Sequence, residues 1–413
     1  MESADTRRAK DGDLNALTAA TTSLTAHIAP LEDPARLEQR WSALAHALRN
    51  EVRAPFFLSW DWISVAIATA QNPLYVAEIV SRDGALRGLG LFCEVSELRH
   101  AVMRVKQLRL NETGRDARAL VPVEYNSLLI ARADERAGWR AVLAAPPAQA
   151  AGWEEIVVTN APFDLEDDLA GDDLVIHRRA EHPSAFVDLA AQRKTGATTA
   201  DYIDTLGRST RSQLRRAMRL YSERGPLALE RAETPGDAHQ FFEALCDLHE
   251  AKWRARDGDG RQSAGLRTQR HYYDFHRMLI DRCFAAGGVE LLRARAGDQP
   301  IGYLYNFVEE RAVRFNAGGF VIEDDNRLKP GLVTHALAIG DHLSGARDTY
   351  DFMAGGDRYK FNLGVPGPAF SSFAIQRRTP ALRLEAAARR IKRLTQARRG
   401  PENKIAVRRR AHA

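Results

Sequence analysis

The chain has 413 residues, 45% of them hydrophobic, enough to bury a large core and to make two domains of ordinary size. No run approaches the roughly 20 apolar residues that span a bilayer, the N-terminus has no apolar signal-type segment, and Cys93, Cys246 and Cys283 stand far apart without a CxxC pair. A soluble cytoplasmic protein with reduced thiols is the expectation. The net charge of +5 divides unevenly: residues 377–413 hold 13 Lys/Arg against 2 Asp/Glu, a net of +11, which leaves −6 for residues 1–376. A slightly acidic body argues against specific DNA binding, which places basic charge on a folded face.

Residues 1–28 are rich in Ala, Thr, Ser and Asp without periodicity and read as disordered. "DPARLEQRWSALAHALR" puts Leu37, Trp41, Leu44 and Leu48 at helical spacing behind an Asp-Pro start, and "APFFLSWDWISVAIATA" reads as a turn into a second helix. The period then changes: "LYVAEIVSRDGALRGLGLFCEV" reads as strand, Asp83-Gly84 turn, strand. About 210 residues later "GVELLRARAGDQPIGYLYNFV" repeats that design, a weak internal duplication that predicts two related α/β domains, 29–185 and 186–376. "AEHPSAFVDLAAQRKTGATTADY" joins them, and a basic helix follows in "GRSTRSQLRRAMRL". The second half continues with helices near 236–253 and 268–285, the hairpin, a strand near 311–319 and a helix near 331–344. "TYDFMAGGDRYKFNLG" reads as a strand, a glycine turn and a returning strand that carries Lys360. Residues 377–413 form a basic helix and tail, either packed on the body or lying on an anionic membrane surface.

"HEAKW" at 249–253 lacks the second histidine of HExxH, and His271 and His276 are five apart, so a metal site is not expected. "NRLKPGLVTHALAIGDHL" carries more. Pro330-Gly331 opens a helix whose dipole and free amides suit an anion, with Arg327 and Lys329 beside it. Arg211, Arg215 and Arg219 share a helix face and read either as solvated or, at Arg211, as a phosphate contact. Trp60, Trp62 and Trp253 read as core or as lining of a cleft between domains. Asp351 and Lys360 either pair across a hairpin or serve a site in which charge develops.

Taken together, "TRSQLRRAMRLYSERG", "LCDLHEAKWRARDGDG", "GVELLRARAGDQPIGYLYNF" and the stretch from "RFNAGGF" to "YDFMAGGDRYKFNLG" resemble the GNAT-related acetyltransferase family that includes CelD-type cellulose-biosynthesis proteins and is related to Fem-type peptidyltransferases. The resemblance covers about residues 190–375 well and the first half loosely. It implies a mixed α/β fold of tandem GNAT-like domains with a cleft between them. The implied activity is N-acyl transfer from an acyl-CoA or acetyl-CoA co-substrate, without a metal, to an amine on a small molecule or envelope precursor. The alternatives are aminoacyl transfer from tRNA, as in the Fem branch, and a non-catalytic scaffold in a polysaccharide-synthesis complex. Carried onto this chain, the resemblance makes Asp351, His249 and Glu250 candidate bases and gives Lys360 a charge-stabilising role. Arg211, Arg327, Lys329, Gly331 and Leu332 are its cofactor-binding candidates; Trp60, Trp253, Tyr305 and Tyr359 are its substrate-binding ones. One departure stands out: "RLKPGL" places Pro330 and Leu332 where the family's pyrophosphate loop has small residues, and a proline offers no N–H.

Overall fold

The computed structural model describes residues 23–114, 120–146, 152–165, 169, 173–256 and 265–385, without the side chains of 253, 255 and 256. The first half builds one sheet from β1 (Leu24–Pro30), β2 (Leu74–Ser81), β3 (Leu86–Arg99), β4 (Met103–Leu110), the short β5 (Leu129–Ile130), β6 (Glu155–Ala161) and β7 (Leu174–His182). The second half builds another from β8 (Ser184–Asp188), β9 (Leu227–Arg231), β10 (Val289–Ala296), β11 (Gln299–Val308), β12 (Ala312–Phe320), β13 (Thr349–Ala354) and β14 (Val365–Pro366). A last strand, β15 (Phe370–Arg377), crosses back into the first sheet.

Apart from the short β5, which pairs with β3, the two sheets repeat each other strand for strand. The first runs β1-β2-β3-β4-β6-β15-β7 and the second β9-β10-β11-β12-β13-β8-β14. In each, four antiparallel strands are followed by one parallel pairing, β4 with β6 and β12 with β13, and then by two more antiparallel partners. The expected duplication is therefore visible as matching topology, with β2–β3 and β10–β11 as the matching hairpins. The halves also exchange a strand: β7 leads straight into β8 of the other sheet, and β14 straight into β15. The two crossings touch, since Gly367 N donates to Ser184 O at 2.9 Å and Ser184 Oγ donates to Pro368 O at 2.6 Å.

Helices cover the sheets in chain order: α1 (Pro34–Ala47), α2 (Trp60–Thr69), α3 (Glu135–Ala144), α4 (Leu189–Arg193), α5 (Thr199–Thr205), α6 (Arg208–Ser222), α7 (Pro235–Arg256), α8 (Arg270–Cys283), α9 (Pro330–Leu343) and α10 (Arg358–Leu363). Their starts follow local chemistry. The Asp33 side chain accepts from Arg36 N ahead of Pro34, Ser59 caps α2, and Thr198 with Asp201 forms a reciprocal capping box on α5. The largest core lies between the halves, where Trp41, Phe57 and Trp62 meet Phe242, Phe275 and Phe307. Phe56 stacks on Phe307 with ring centroids 4.7 Å apart. Burying that many aromatic rings makes the boundary between the halves an interior.

Three sequence expectations are corrected. Residues 24–28, placed in a disordered N-terminus, belong to β1, because pairing with Tyr75–Ser81 of β2 outweighs a polar composition. The joining segment is built into the second sheet as β8, and 370–377 leaves the second domain for the first sheet, so the sheets do not follow a single cut at residue 185/186. Lys360 stands in helix α10 and not on a returning strand. The basic tail lies outside the described residues from 386 onward. Cys93, Cys246 and Cys283 are buried and unpaired. Among the described residues no helix is long and apolar enough to cross a membrane, and no group of three or more His, Cys, Asp or Glu could hold a metal ion.

Candidate active site

β12 and β13 pair only where Ala312–Arg314 faces Thr349–Asp351, and beyond that point they separate. The chain leaves β12 through residues 321–329 and enters α9 at Pro330. A cavity of about 360 Å³ lies at this opening, bounded by Phe320 at the end of β12, Lys329, Gly331 and His335 on the approach to and first turns of α9, and Tyr359 on α10. Lys252, Leu328 and Leu332 complete its rim and wall.

One end of the cavity is suited to an anion. No side chain caps α9, and Pro330 occupies the first turn, where a missing N–H removes nothing. The Gly331 and Leu332 amides are thus turned out of the helix end, at the positive pole of its dipole. Lys329 and Lys252 stand beside them. The departure at Pro330 therefore leaves donors in place, one residue further along. Two other cofactor-binding candidates are engaged elsewhere: Arg327 forks onto Asp325 at 2.7–2.9 Å, and Arg211 donates to Asp204 O at 2.8 Å.

The inner end is apolar with two polar groups. His335 is fully buried; its Nδ1 lies 3.2 Å from the Tyr350 hydroxyl, and its Nε2 has no partner. Burial, with the nearby Lys360 charge, pushes its pKa down to about 3, so the ring is neutral. Tyr359 stacks on it at 5.5 Å, and burial, then Asp357, raises the phenol's pKa, which keeps it protonated. His335 escaped the sequence reading, although it lies four residues after Gly331 and so on the same helix face.

Behind Tyr359 lies a charged cluster that joins the two halves. Asp351 is 3% exposed, and Arg314 Nη1 and the Tyr125 hydroxyl both donate to its Oδ2 at 2.5 Å, while Met353 N donates to Oδ1 at 2.8 Å. Arg314 also reaches Glu309 at 2.9 Å and sits 4.3 Å above the Tyr125 ring. With both oxygens engaged, Asp351 is built to hold this junction. Lys360 Nζ donates to Phe352 O at 2.8 Å and Ala354 O at 2.7 Å, closing the end of β13. Burial lowers the Lys360 pKa, and Glu124 across the interface works in the opposite direction. The Phe352 ring contacts both His335 and Tyr359, which ties this cluster to the cavity wall.

The remaining candidates lie elsewhere. Glu250 is buried, accepting from Arg254 at 3.0 Å and Thr268 at 3.1 Å. His249 is held neutral by burial and Lys252, its pKa down to about 4. Tyr305 is fully buried against Phe242, His276 and Phe307, so it belongs to the shared core and not to a substrate surface. Trp60 packs half-buried on that same core. The side chain of Trp253 lies outside the described residues.

These two mixed sheets, each with a single parallel step, define a tandem GNAT-like α/β protein. Residues 208–361 match the family model described as an acetyltransferase (GNAT) domain. FemX shares the fold at a TM-score of 0.50 and 11% identity, over 83% of this chain and 96% of that one. The C-terminal domain (DUF2156) of a putative lysylphosphatidylglycerol synthetase from Agrobacterium fabrum aligns at 0.47 and 11% identity, over 86% and 97%. A tandem GNAT protein from the clavulanic acid biosynthesis pathway aligns at 0.44 and 12% identity, over 86% and 99%. No curated protein matches the sequence.

Proposed function

We propose that the protein is an N-acyltransferase that takes an acyl group from a phosphate-bearing thioester of the acyl-CoA type and passes it to an amine. The observation that carries this reading is the cavity itself: an uncapped helix N-terminus with two lysines at its mouth, and an unpartnered buried His335 Nε2 and a protonated Tyr359 phenol inside. Donor phosphate sits on the Gly331 and Leu332 amides and Lys329. The donor's arm fills the apolar cavity. With the Tyr350 hydroxyl donating to Nδ1, His335 carries its proton on Nε2 and donates a hydrogen bond from it to a carbonyl of that arm, which ends the isolation of a buried donor. Tyr359 is the hydroxyl available to the departing sulfur. Holding donor and amine in one geometry supplies a large share of the rate. The acceptor is an amine on a small molecule or, as the resemblance implies, an envelope precursor.

Calorimetry of the full chain with CoA, acetyl-CoA and longer acyl-CoAs tests the reading. The expected result is micromolar binding of at least one thioester, weakened about tenfold or more in Gly331→Trp, which fills the cavity mouth, and in His335→Phe. Binding of aminoacyl-tRNA in place of every thioester would move the assignment to Fem-type aminoacyl transfer. Binding of neither would leave the scaffold.

A further inference from the structure

The two halves differ most where their topology is the same. In the second sheet, the parallel step from β12 to β13 passes through the short loop 321–329 and α9, which frame the donor cavity. In the first sheet, the equivalent step from β4 to β6 passes through residues 111–134 and α3. The opening between β4 and β6 is occupied by the chain's own side chains: Arg109 Nη1 donates to Glu112 at 2.9 Å, and Thr159 bonds the same carboxylate. The longer connection is used differently: its described stretch from 120 onward brings Glu124 and Tyr125 to the end of β13.

Around Glu124 the backbone is unusual. Of the six non-glycine residues with positive φ among the described residues, three converge here: Tyr125 at 51°, Asn160 at 47° and Met353 at 54°. Tyr125 follows Glu124, the Asn160 side-chain amide donates to Glu124 Oε1 at 3.2 Å, and Met353 precedes Ala354, whose N–H reaches Oε2 at 3.3 Å. Side chains in such backbone conformations persist only where the surroundings hold them, and they gather at functional sites. The Tyr125–Asp351–Arg314–Glu309 relay is that hold, anchored in turn by Phe56 N on Glu309 at 3.1 Å. Unlike Asp351, Glu124 keeps part of its surface exposed, and its two contacts are long. The charged groups that face it are Lys360 and Asp351.

We propose that Glu124, supplied by the N-terminal half, receives the acceptor amine at the end of β13 and takes its proton, while the C-terminal half holds the acyl donor. This rests on the acyl-transfer reading. In the step, the amine lone pair forms the C–N bond, the C–S bond breaks, and sulfur leaves with that electron pair as thiolate. The proton lost by nitrogen passes to a Glu124 carboxylate oxygen and from there to water, and the thiolate regains one proton from water. Burial, reinforced by Asp351 and opposed by Lys360 and the Ala354 N–H, raises the Glu124 pKa to about 7, where a general base works best near neutrality.

The test uses the full chain, acetyl-CoA and the best acceptor from a panel of primary amines, with Glu124→Gln and Glu124→Asp compared with the native enzyme. The expected result is a kcat about 100-fold lower in Glu124→Gln, partial recovery in Glu124→Asp, and an acetyl-CoA Kd unchanged within about twofold because the donor site is in the other half. The native pH–rate profile rises through an apparent pKa near 7, and this limb is absent in Glu124→Gln. Native donor binding with a Glu124→Gln enzyme of unchanged kcat and pH profile overturns this inference alone. Failure of the native protein to bind any acyl thioester overturns the acyl-transfer reading, and this inference with it.

Discussion

Asp351 and Lys360 have opposite charges on one short strand-turn-helix unit, yet they do not pair as a hairpin would pair them. Asp351 takes Arg314 and Tyr125, and Lys360 takes two backbone carbonyls. Breaking a buried pair leaves a charge without compensation. Asp351→Ala is therefore expected to lower the unfolding free energy by about 3 kcal/mol in urea titration, with loss of activity as a consequence of the displaced junction. Glu124 makes an opposite prediction about pH. Its folded pKa lies above the usual carboxylate value, so the folded state holds the proton more tightly than the unfolded chain. That stability is present below about pH 4.5 and is lost as pH rises through about 7. Relative to Glu124→Gln, the native protein is expected to lose on the order of 3 kcal/mol over that window. Denaturation curves of the two proteins at pH 4.5 and pH 8 read this directly, and parallel curves would contradict it.

At the scale of elements, the turn between β13 and α10 decides the site. Gly355 has φ +133°, and a Cβ there would lie 2.8 Å from Lys360 Nζ, which is itself fixed on two carbonyls. Gly355→Ala is expected to cost about 1–3 kcal/mol from the forced backbone alone and to weaken donor binding by tilting Tyr359. Thermal unfolding and acetyl-CoA calorimetry on the same variant separate the two effects. α9 was legible in sequence because its signals are local: Pro330 in the first turn, apolar residues at helical spacing, free donors at its start. α10 was not, because glycines followed by alternating residues suit a hairpin equally well. Its choice rests on Lys360, whose ammonium finds acceptors only at the end of β13. Glu124 left no local signal at all in "VPVEYNSLL".

At the scale of the molecule, the exchanged strands tie the halves together. β15 lies between β6 and β7 in the first sheet, so a fragment ending at residue 183 lacks a central strand and leaves two edges unpaired. Such a fragment is expected to be insoluble or unfolded by circular dichroism, and an independently folded one would contradict the exchange. Acid should unfold the whole protein early. His276, His335 and His342 are buried and His249 half-buried, all neutral, with pKa values lowered by burial to about 3, 3, 4 and 4. The unfolded chain binds protons at these positions from about pH 6.5 downward while the folded one does not, so stability falls with pH across that range. Glu124 opposes this with a single group. The expected outcome is a transition midpoint in urea that declines steadily from pH 7 to pH 4.

What the sequence determined by itself is whatever nearest-neighbour chemistry specifies. That includes the duplicated hairpins, the helix periods, the Pro330-Gly331 helix start, and the acetyltransferase-like motifs of about residues 190–375, within which the family model matches 208–361. The tertiary structure alone decided which of the candidate charges reach the site. Arg211 and Arg327 are taken up by neighbours, Asp351 is sealed into a junction, His335 is buried in the cavity wall with Nε2 unpartnered, and Glu124 stays partly exposed. The reason is physical: a side chain's role depends on which partners and how much water surround it. Here those partners come from across two sheets that exchange a strand, more than 200 residues away in the chain.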